Sequence, residues 1–165
     1  MKRLVVIRHA KSSWKDPGSR DFDRPLNKRG KADAPEMGRR LARRSLGPDR
    51  LLSSPARRAI RTAEVIADAI GFPAGRITRM DRLYGAGVVD LIGILRGLDD
   101  ADQTIFLVGH NPGLTDLVNF LCTSFLDNLP TCGLFCADFE ISSWKEIDRH
   151  RGRCVFMDFP KHPPA

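Results

Sequence analysis

Two short apolar runs constrain this chain more than any other feature. Leu4-Val5-Val6-Ile7 stops at Arg8-His9, and Thr104-Ile105-Phe106-Leu107-Val108 stops at Gly109-His110. Neither run alternates apolar with polar residues, so each reads as a strand buried on both faces, as in a parallel sheet covered by helices. The intervening sequence supplies those helices. Asn27 caps one running to about Ser45, with Met37 and Leu41 one turn apart and Gly47-Pro48 as the stop. Pro35 inside it predicts a kink or a broken first segment, because proline lacks an N–H and crowds the carbonyl four residues back. After a strand at Arg50–Ser53, Ser54 reads as the cap and Pro55 as the first residue of a second helix. Ala59, Ile60, Ala63, Ile66, Ala67 and Ile70 form its apolar face, and Gly71 ends it. A short strand near Ile77, helices over Val88–Leu98 and Leu114–Cys122, and strands over Leu134–Ile141 and Cys154–Phe159 complete the pattern. Strands alternating with helices predict an α/β fold, a three-layer α/β/α sandwich with a mostly parallel central sheet, as a single domain over residues 1–165 without a large insertion.

Composition excludes several alternatives. With 42% hydrophobic residues among 165 the chain is no disordered segment. The longest apolar runs are about five residues, far short of a membrane span. The stretch Leu4–Ile7 is also too short for a secretion signal, so a cytoplasmic location is expected. Cys122, Cys132, Cys136 and Cys154 form no C-x-x-C and have no His at zinc-ligand spacing, so neither a metal site nor a disulfide framework is expected. Charge is uneven. Residues 1–82 carry 21 Lys and Arg against 9 Asp and Glu, a net of +12, whereas residues 83–165 carry a net of −5. An anionic partner for the first half follows, whether nucleic acid, membrane surface, phosphorylated protein or small phosphoester. The run Arg39-Arg40-Leu41-Ala42-Arg43-Arg44 is the one feature favouring a nucleic-acid-binding module, but no helix-turn-helix, RNP or zinc signature accompanies it.

Ligands of open α/β sheets sit beyond the carboxyl ends of the strands. There the sequence places Arg8-His9 after the first strand, His110 after the Thr104–Val108 strand, and Arg57-Arg58 at the start of the helix following Leu51-Leu52. Any one of these has an ordinary structural explanation, but their convergence on one edge suits phosphoryl chemistry. Guanidinium forks match phosphate oxygens and stay charged at any working pH. A helix N-terminus adds N–H donors. Histidine is a nucleophile at neutral pH. Covalent transfer of a phosphoryl group to a histidine would use this set, with no cofactor and no metal, because the cationic groups stabilise the spreading negative charge.

At these residues a family resemblance is evident. R-H-A-K-S-S-W (Arg8–Trp14), D-R-P-L-N-x-R-G (Asp23–Gly30), S-P-A-R-R-A-I-R-T-A (Ser54–Ala63) and V-G-H-N-P-G (Val108–Gly113) resemble the histidine phosphatase superfamily. More narrowly they are similar to its short members, the SixA-type phosphohistidine phosphatases, as is Leu129-Pro130-Thr131 before the penultimate strand. The resemblance implies a phosphoglycerate mutase-like fold, His9 as nucleophile, His110 as a stabiliser of the transferring group, and Arg8 and Arg58 as phosphate ligands, with Arg57 a solvated neighbour. It places Ser12 near the phosphate. Lys15 falls near the position where mutase-like members carry an Asn. Larger members hold a general acid shortly before a Tyr-Gly pair, which makes Asp81, before Tyr84-Gly85, the candidate acid. Asp21 and Asp23 are weaker candidates, and Asp23 reads as a local partner of Arg24 or a turn cap.

A phosphohistidine leaves as an imidazole and needs less help from an acid than an alkoxide does. No segment is long enough to close over the site, and an open site admits a side chain protruding from a protein. A phosphorylated histidine-containing phosphotransfer domain is therefore the expected partner, with a small phosphoester as the alternative substrate.

Overall fold

The computed structural model describes residues 1–163 and builds one six-stranded sheet. Its strands are β1 (Lys2–Arg8), β2 (Arg50–Ser53), β3 (Thr78–Arg79), β4 (Thr104–Gly109), β5 (Leu134–Phe139) and β6 (Gly152–Asp158), in the order β3-β2-β4-β1-β5-β6. β1, β4, β2 and β3 are mutually parallel, while β5 runs antiparallel to β1 and β6 antiparallel to β5. The two apolar runs are the adjacent central strands, which lose both faces to the core, as β5 beside them also does. Successive side chains point to opposite faces. Leu4, Val6, Ile105 and Leu107 therefore pack with α3 (Val88–Arg96) and α4 (Gly113–Leu121). Val5, Ile7, Phe106 and Val108 pack with α1 (Lys28–Arg43) and α2 (Arg57–Ile70). The result is a three-layer α/β/α sandwich. Each of these buried side chains contributes about 1.5–3 kcal/mol of transfer free energy. Among the described residues no helix is long and apolar enough to cross a membrane.

Local expectations were met unevenly. Asn27 does cap α1, its Oδ1 accepting the Gly30 N–H at 2.9 Å, and Gly71 closes α2 in the left-handed region at φ 75°. Pro35 does not break α1. Ala34, Met37, Gly38 and Leu41 bury their side of the helix around it, and Lys31, whose carbonyl loses its helical partner, is exposed to water. The basic run at 39–44 is largely neutralised internally. Arg40 is buried against Asp158 at 2.8 Å, and Arg39 and Arg43 pair with Glu36. That removes the main support for a nucleic-acid surface there.

The long loop 10–26 is fastened to the start of α1. Asn27 N–H donates to the Lys11 carbonyl at 3.0 Å, and a Cβ on Gly30 would lie 2.1 Å from that same oxygen. Gly30→Ala must displace the loop, and we expect it to cost about 1–3 kcal/mol in urea unfolding. Gly47→Ala, with nothing within 4 Å of the new methyl, is expected to stay within about 0.5 kcal/mol. Equal stabilities for the two variants would show that the loop is not fastened at this point.

Candidate active site

β1 and β4 pair in parallel with Arg8 opposite Gly109, so the residues that follow them emerge side by side. His9 N–H donates to the Gly109 carbonyl at 3.1 Å, and the His9 and His110 ring centres are 5.1 Å apart. β2 ends at the same edge, where Ser54 N–H bonds the Val108 carbonyl and α2 then carries Arg58 inward. β5, being antiparallel, begins there. The Cys132 N–H holds the His9 carbonyl, and Arg8 Nη1 donates to the Leu129 carbonyl at 3.0 Å. Arg8, His9, Ser12, Arg24, Arg58 and His110 line a cleft of about 260 Å³, together with Lys11, Trp14, Asn111 and Thr131. Among the described residues no carboxylate lines it.

His9 is 8% exposed, and its Nδ1 lies 2.7 Å from the Ala10 carbonyl. A carbonyl only accepts, so this contact assigns the ring proton to Nδ1 and leaves the lone pair on Nε2. Arg58 Nε approaches that atom at 3.4 Å. Burial pushes the His9 pKa down to about 3. The Ala10 carbonyl opposes that shift, while His110, Arg58 and Arg8 reinforce it. At neutral pH His9 is therefore an uncharged ring with an unprotonated nitrogen aimed into a cationic cleft. Thr62 fixes this arrangement from one helical turn beyond Arg58. Its hydroxyl donates to the Arg58 carbonyl at 2.7 Å and accepts the Ala10 N–H at 3.0 Å, tying α2 to the residue whose carbonyl sets the tautomer.

Ser54 does not cap α2. The helix begins at Arg57, and the Ser54 hydroxyl, wholly buried, lies 2.8 Å from His110 Nε2. That oxygen also accepts the Ala56 N–H, so its own proton is free for the ring. Burial, then Arg58, pushes the His110 pKa down to about 4, and Asp21 opposes the shift. Among the described residues His110 Nδ1 and Arg8 Nε are buried without a hydrogen-bond partner. Buried polar atoms are rarely left so. Burial also works against the charge of Arg8. An oxyanion in the cleft would stabilise that charge and offer Arg8 an acceptor.

The carboxylate closest to the cleft's chemistry is Asp21, not Asp81. Asp81 is exposed at the start of a 3-10 turn (Asp81–Leu83) and does not line the cleft. Asp21 receives Arg58 Nη2 at 3.0 Å and Arg24 at 3.1 Å, and Tyr84 O–H donates to it at 2.6 Å. The Tyr84 hydrogen bond foremost, with help from both guanidiniums, holds its pKa at about 2, so it is ionised. Arg24, buried to 7%, donates to Ser12 Oγ at 2.6 Å and lies 3.5 Å beneath the exposed Trp14 ring. It is thus a wall of the cleft and no free surface charge. Asp23 pairs with Arg20 instead of Arg24. Arg58 is buried and Arg57 exposed, the order the motif implied. Lys15 faces a neighbouring groove. Among the described residues no group of three or more His, Cys, Asp or Glu is placed to hold a metal ion.

Two predictions follow from this geometry. Asp21→Asn removes the charge that aligns Arg58 and Arg24, and kcat/KM on an aryl phosphate is expected to fall roughly tenfold with little change in stability. Unchanged or faster turnover would show that Asp21 only competes with substrate. By NMR, the His9 and His110 rings should stay neutral from about pH 8 to pH 5, with no step near 6.5. Below about pH 6.5 the unfolded chain protonates both rings while the folded chain does not, so stability falls as pH drops toward the folded values. A His9→Gln, His110→Gln double variant should flatten that slope. A titration step near 6.5 for either ring would contradict the burial argument.

The family model of the histidine phosphatase superfamily (branch 1) matches residues 4–85. An uncharacterized chloroplastic protein of Arabidopsis thaliana is 32% identical over 153 residues, covering 88% of this chain and 70% of that protein. A 2,3-bisphosphoglycerate-dependent phosphoglycerate mutase of Corynebacterium kroppenstedtii is 35% identical over 108 residues, 61% of this chain and 40% of the mutase, so the chain matches well under half of that enzyme. The crystal structure of an Agrobacterium tumefaciens protein assigned as a SixA phosphohistidine phosphatase superposes with a TM-score of 0.79 at 30% identity, covering 96% of this chain and 98% of that one. Similarity of this extent, joined to a cleft built from the matching Arg and His residues, means that the chain belongs to the histidine phosphatase superfamily and is a phosphatase.

Proposed function

We propose that this phosphatase hydrolyses phosphohistidine, presented by a protein such as a histidine-containing phosphotransfer domain, through a covalent phospho-His9 intermediate. One observation carries the choice of substrate: among the described residues no carboxylic acid lines the cleft to protonate a leaving group. Asp21 is held ionised at about pKa 2, and Asp81 lies outside. An alkoxide leaves poorly without a proton. A phosphohistidine protonated on its other ring nitrogen leaves as a neutral imidazole and needs none.

His9 Nε2 attacks phosphorus as the P–N bond to the substrate breaks. The negative charge on the equatorial oxygens is met by Arg8, Arg58 and the helix α2 N-terminus. The phosphorylated His9 ring carries positive charge, and its Nδ1–H bond to the Ala10 carbonyl strengthens accordingly. Water then attacks phosphorus, releases inorganic phosphate and returns the neutral ring. His110, neutral at rest, hydrogen-bonds the transferring group, and Ser54 fixes its orientation. Likeness to the Agrobacterium protein supports the same substrate. The four free thiols suit a reducing cytoplasm, where such an enzyme would act in phosphohistidine signalling.

The test is a ranking of leaving groups. A phosphohistidine peptide should exceed alkyl and sugar phosphates in kcat/KM by roughly 10² or more, with an aryl phosphate between them. Equal or better turnover of a sugar phosphate would overturn the reading in favour of a small-molecule phosphoesterase.

A further inference from the structure

The cleft is bounded on one side by a thin two-stranded wall. Residues 11–15 run extended beside residues 25–27, with Ser12 bridged to Leu26, Ser13 N–H bonded to the Pro25 carbonyl at 2.8 Å and Asn27 N–H to the Lys11 carbonyl at 3.0 Å. Side chains on such a segment alternate. From Ser12 onward, Ser12 and Trp14 face the cleft, as does Lys11 before them, while Ser13 and Lys15 face outward into a groove. The start of α2 divides in the same way, Arg58 inward and Arg57 outward. The groove consists of two hollows of about 400 and 360 Å³ that share Pro25, Leu26 and Lys31.

Its rim is basic. Lys15, Lys28, Lys31, Arg57 and Arg61 are exposed, and among the described residues none is within ion-pair distance of a carboxylate. Glu64 is the single acid lining it. Lys28 and Lys31 sit one turn apart on α1, and Arg57 and Arg61 one turn apart on α2, and like charges so placed destabilise a helix. An anionic partner in the groove relieves both repulsions. The floor of Pro25, with Leu26 and Ile60 beneath, is apolar and contains no aromatic ring on which a base could stack. An apolar floor between cationic rims matches an amphipathic helix with acidic flanks.

We propose that this groove seats an acidic helix of the phosphoprotein substrate, whose phosphohistidine reaches over the wall to His9. The proposal rests on the phosphohistidine reading of the cleft and adds where the protein is held.

The test uses two substrates with the same P–N bond: an acidic histidine-containing phosphotransfer domain phosphorylated with phosphoramidate, and a short peptide carrying its phosphohistidine. The wild-type enzyme should prefer the domain. Lys31→Glu with Arg61→Glu should raise KM for the domain roughly tenfold or more and leave peptide turnover within about twofold. Lys31→Gln with Arg61→Gln should give a smaller change in the same direction, and serves if charge reversal prevents folding. An unchanged KM for the domain, or equal losses on both substrates, would overturn the proposal. So would a short DNA or RNA oligomer, or a second copy of this chain, whose binding the variants abolish while KM for the domain stays put. Hydrolysis of an aryl phosphate but of neither phosphohistidine substrate would instead overturn the reading of the cleft itself.

Discussion

The parallel pairing of β1 with β4, Arg8 opposite Gly109, decides which side chains can meet in this molecule. A shift of one residue would turn every apolar side chain of the central strands to the other layer. It would also separate the two histidine rings now 5.1 Å apart. The register is held by the burial of Leu4 to Ile7 and Ile105 to Val108 on both faces, so the energy that builds the core also aligns the chemistry. Three further segments close on that pair. α2 brings Arg58, the Leu129–Cys132 segment seats Arg8 and the His9 carbonyl, and loop 10–26 folds back with Ser12, Asp21 and Arg24.

The electrostatics of the cleft follow from bringing three arginines together with a buried His9 and a half-buried His110. The guanidiniums remain charged, so the histidines, being buried beside them, are the groups that lose their protons. That outcome leaves His9 the lone pair on Nε2 that its proposed role as nucleophile requires. Asp21 limits the mutual repulsion of Arg24 and Arg58 while pointing their donors, and its partial exposure leaves the cleft itself without a negative group. A phosphoryl group thus enters a pocket already arranged for it, and little reorganisation accompanies transfer.

The layers, the burial of the two central strands and the placing of Arg8, His9, Arg58 and His110 at strand and helix ends were legible because each depends on local pattern: an apolar run and the residue that follows it. The second tier of the site was not. Ser54 stands before Pro55, where serine ordinarily caps a helix, and only the proximity of β2 to β4 reveals that its hydroxyl serves His110. Asp81 matched a spacing, but spacing along a loop does not fix where a side chain points. Asp21 is recruited through Tyr84, 63 residues away in sequence. Arg24 read as a local partner of Asp23, whereas folding places it under Trp14 and against Ser12. Lys2, a cation next to the N-terminus, is almost wholly buried, its ammonium bonded to the Asp100 and Asp102 carbonyls. These contacts are all long-range, and no periodicity encodes them.

His9 is the proposed carrier of the phosphoryl group. Enzyme mixed with an aryl phosphate and quenched into alkali, where phosphohistidine survives, can be digested and sequenced by mass spectrometry. A phosphoryl group is expected on the peptide containing His9 and absent from His9→Asn enzyme. Phosphorylation at His110 or any other residue, or full turnover by His9→Asn enzyme, would contradict it.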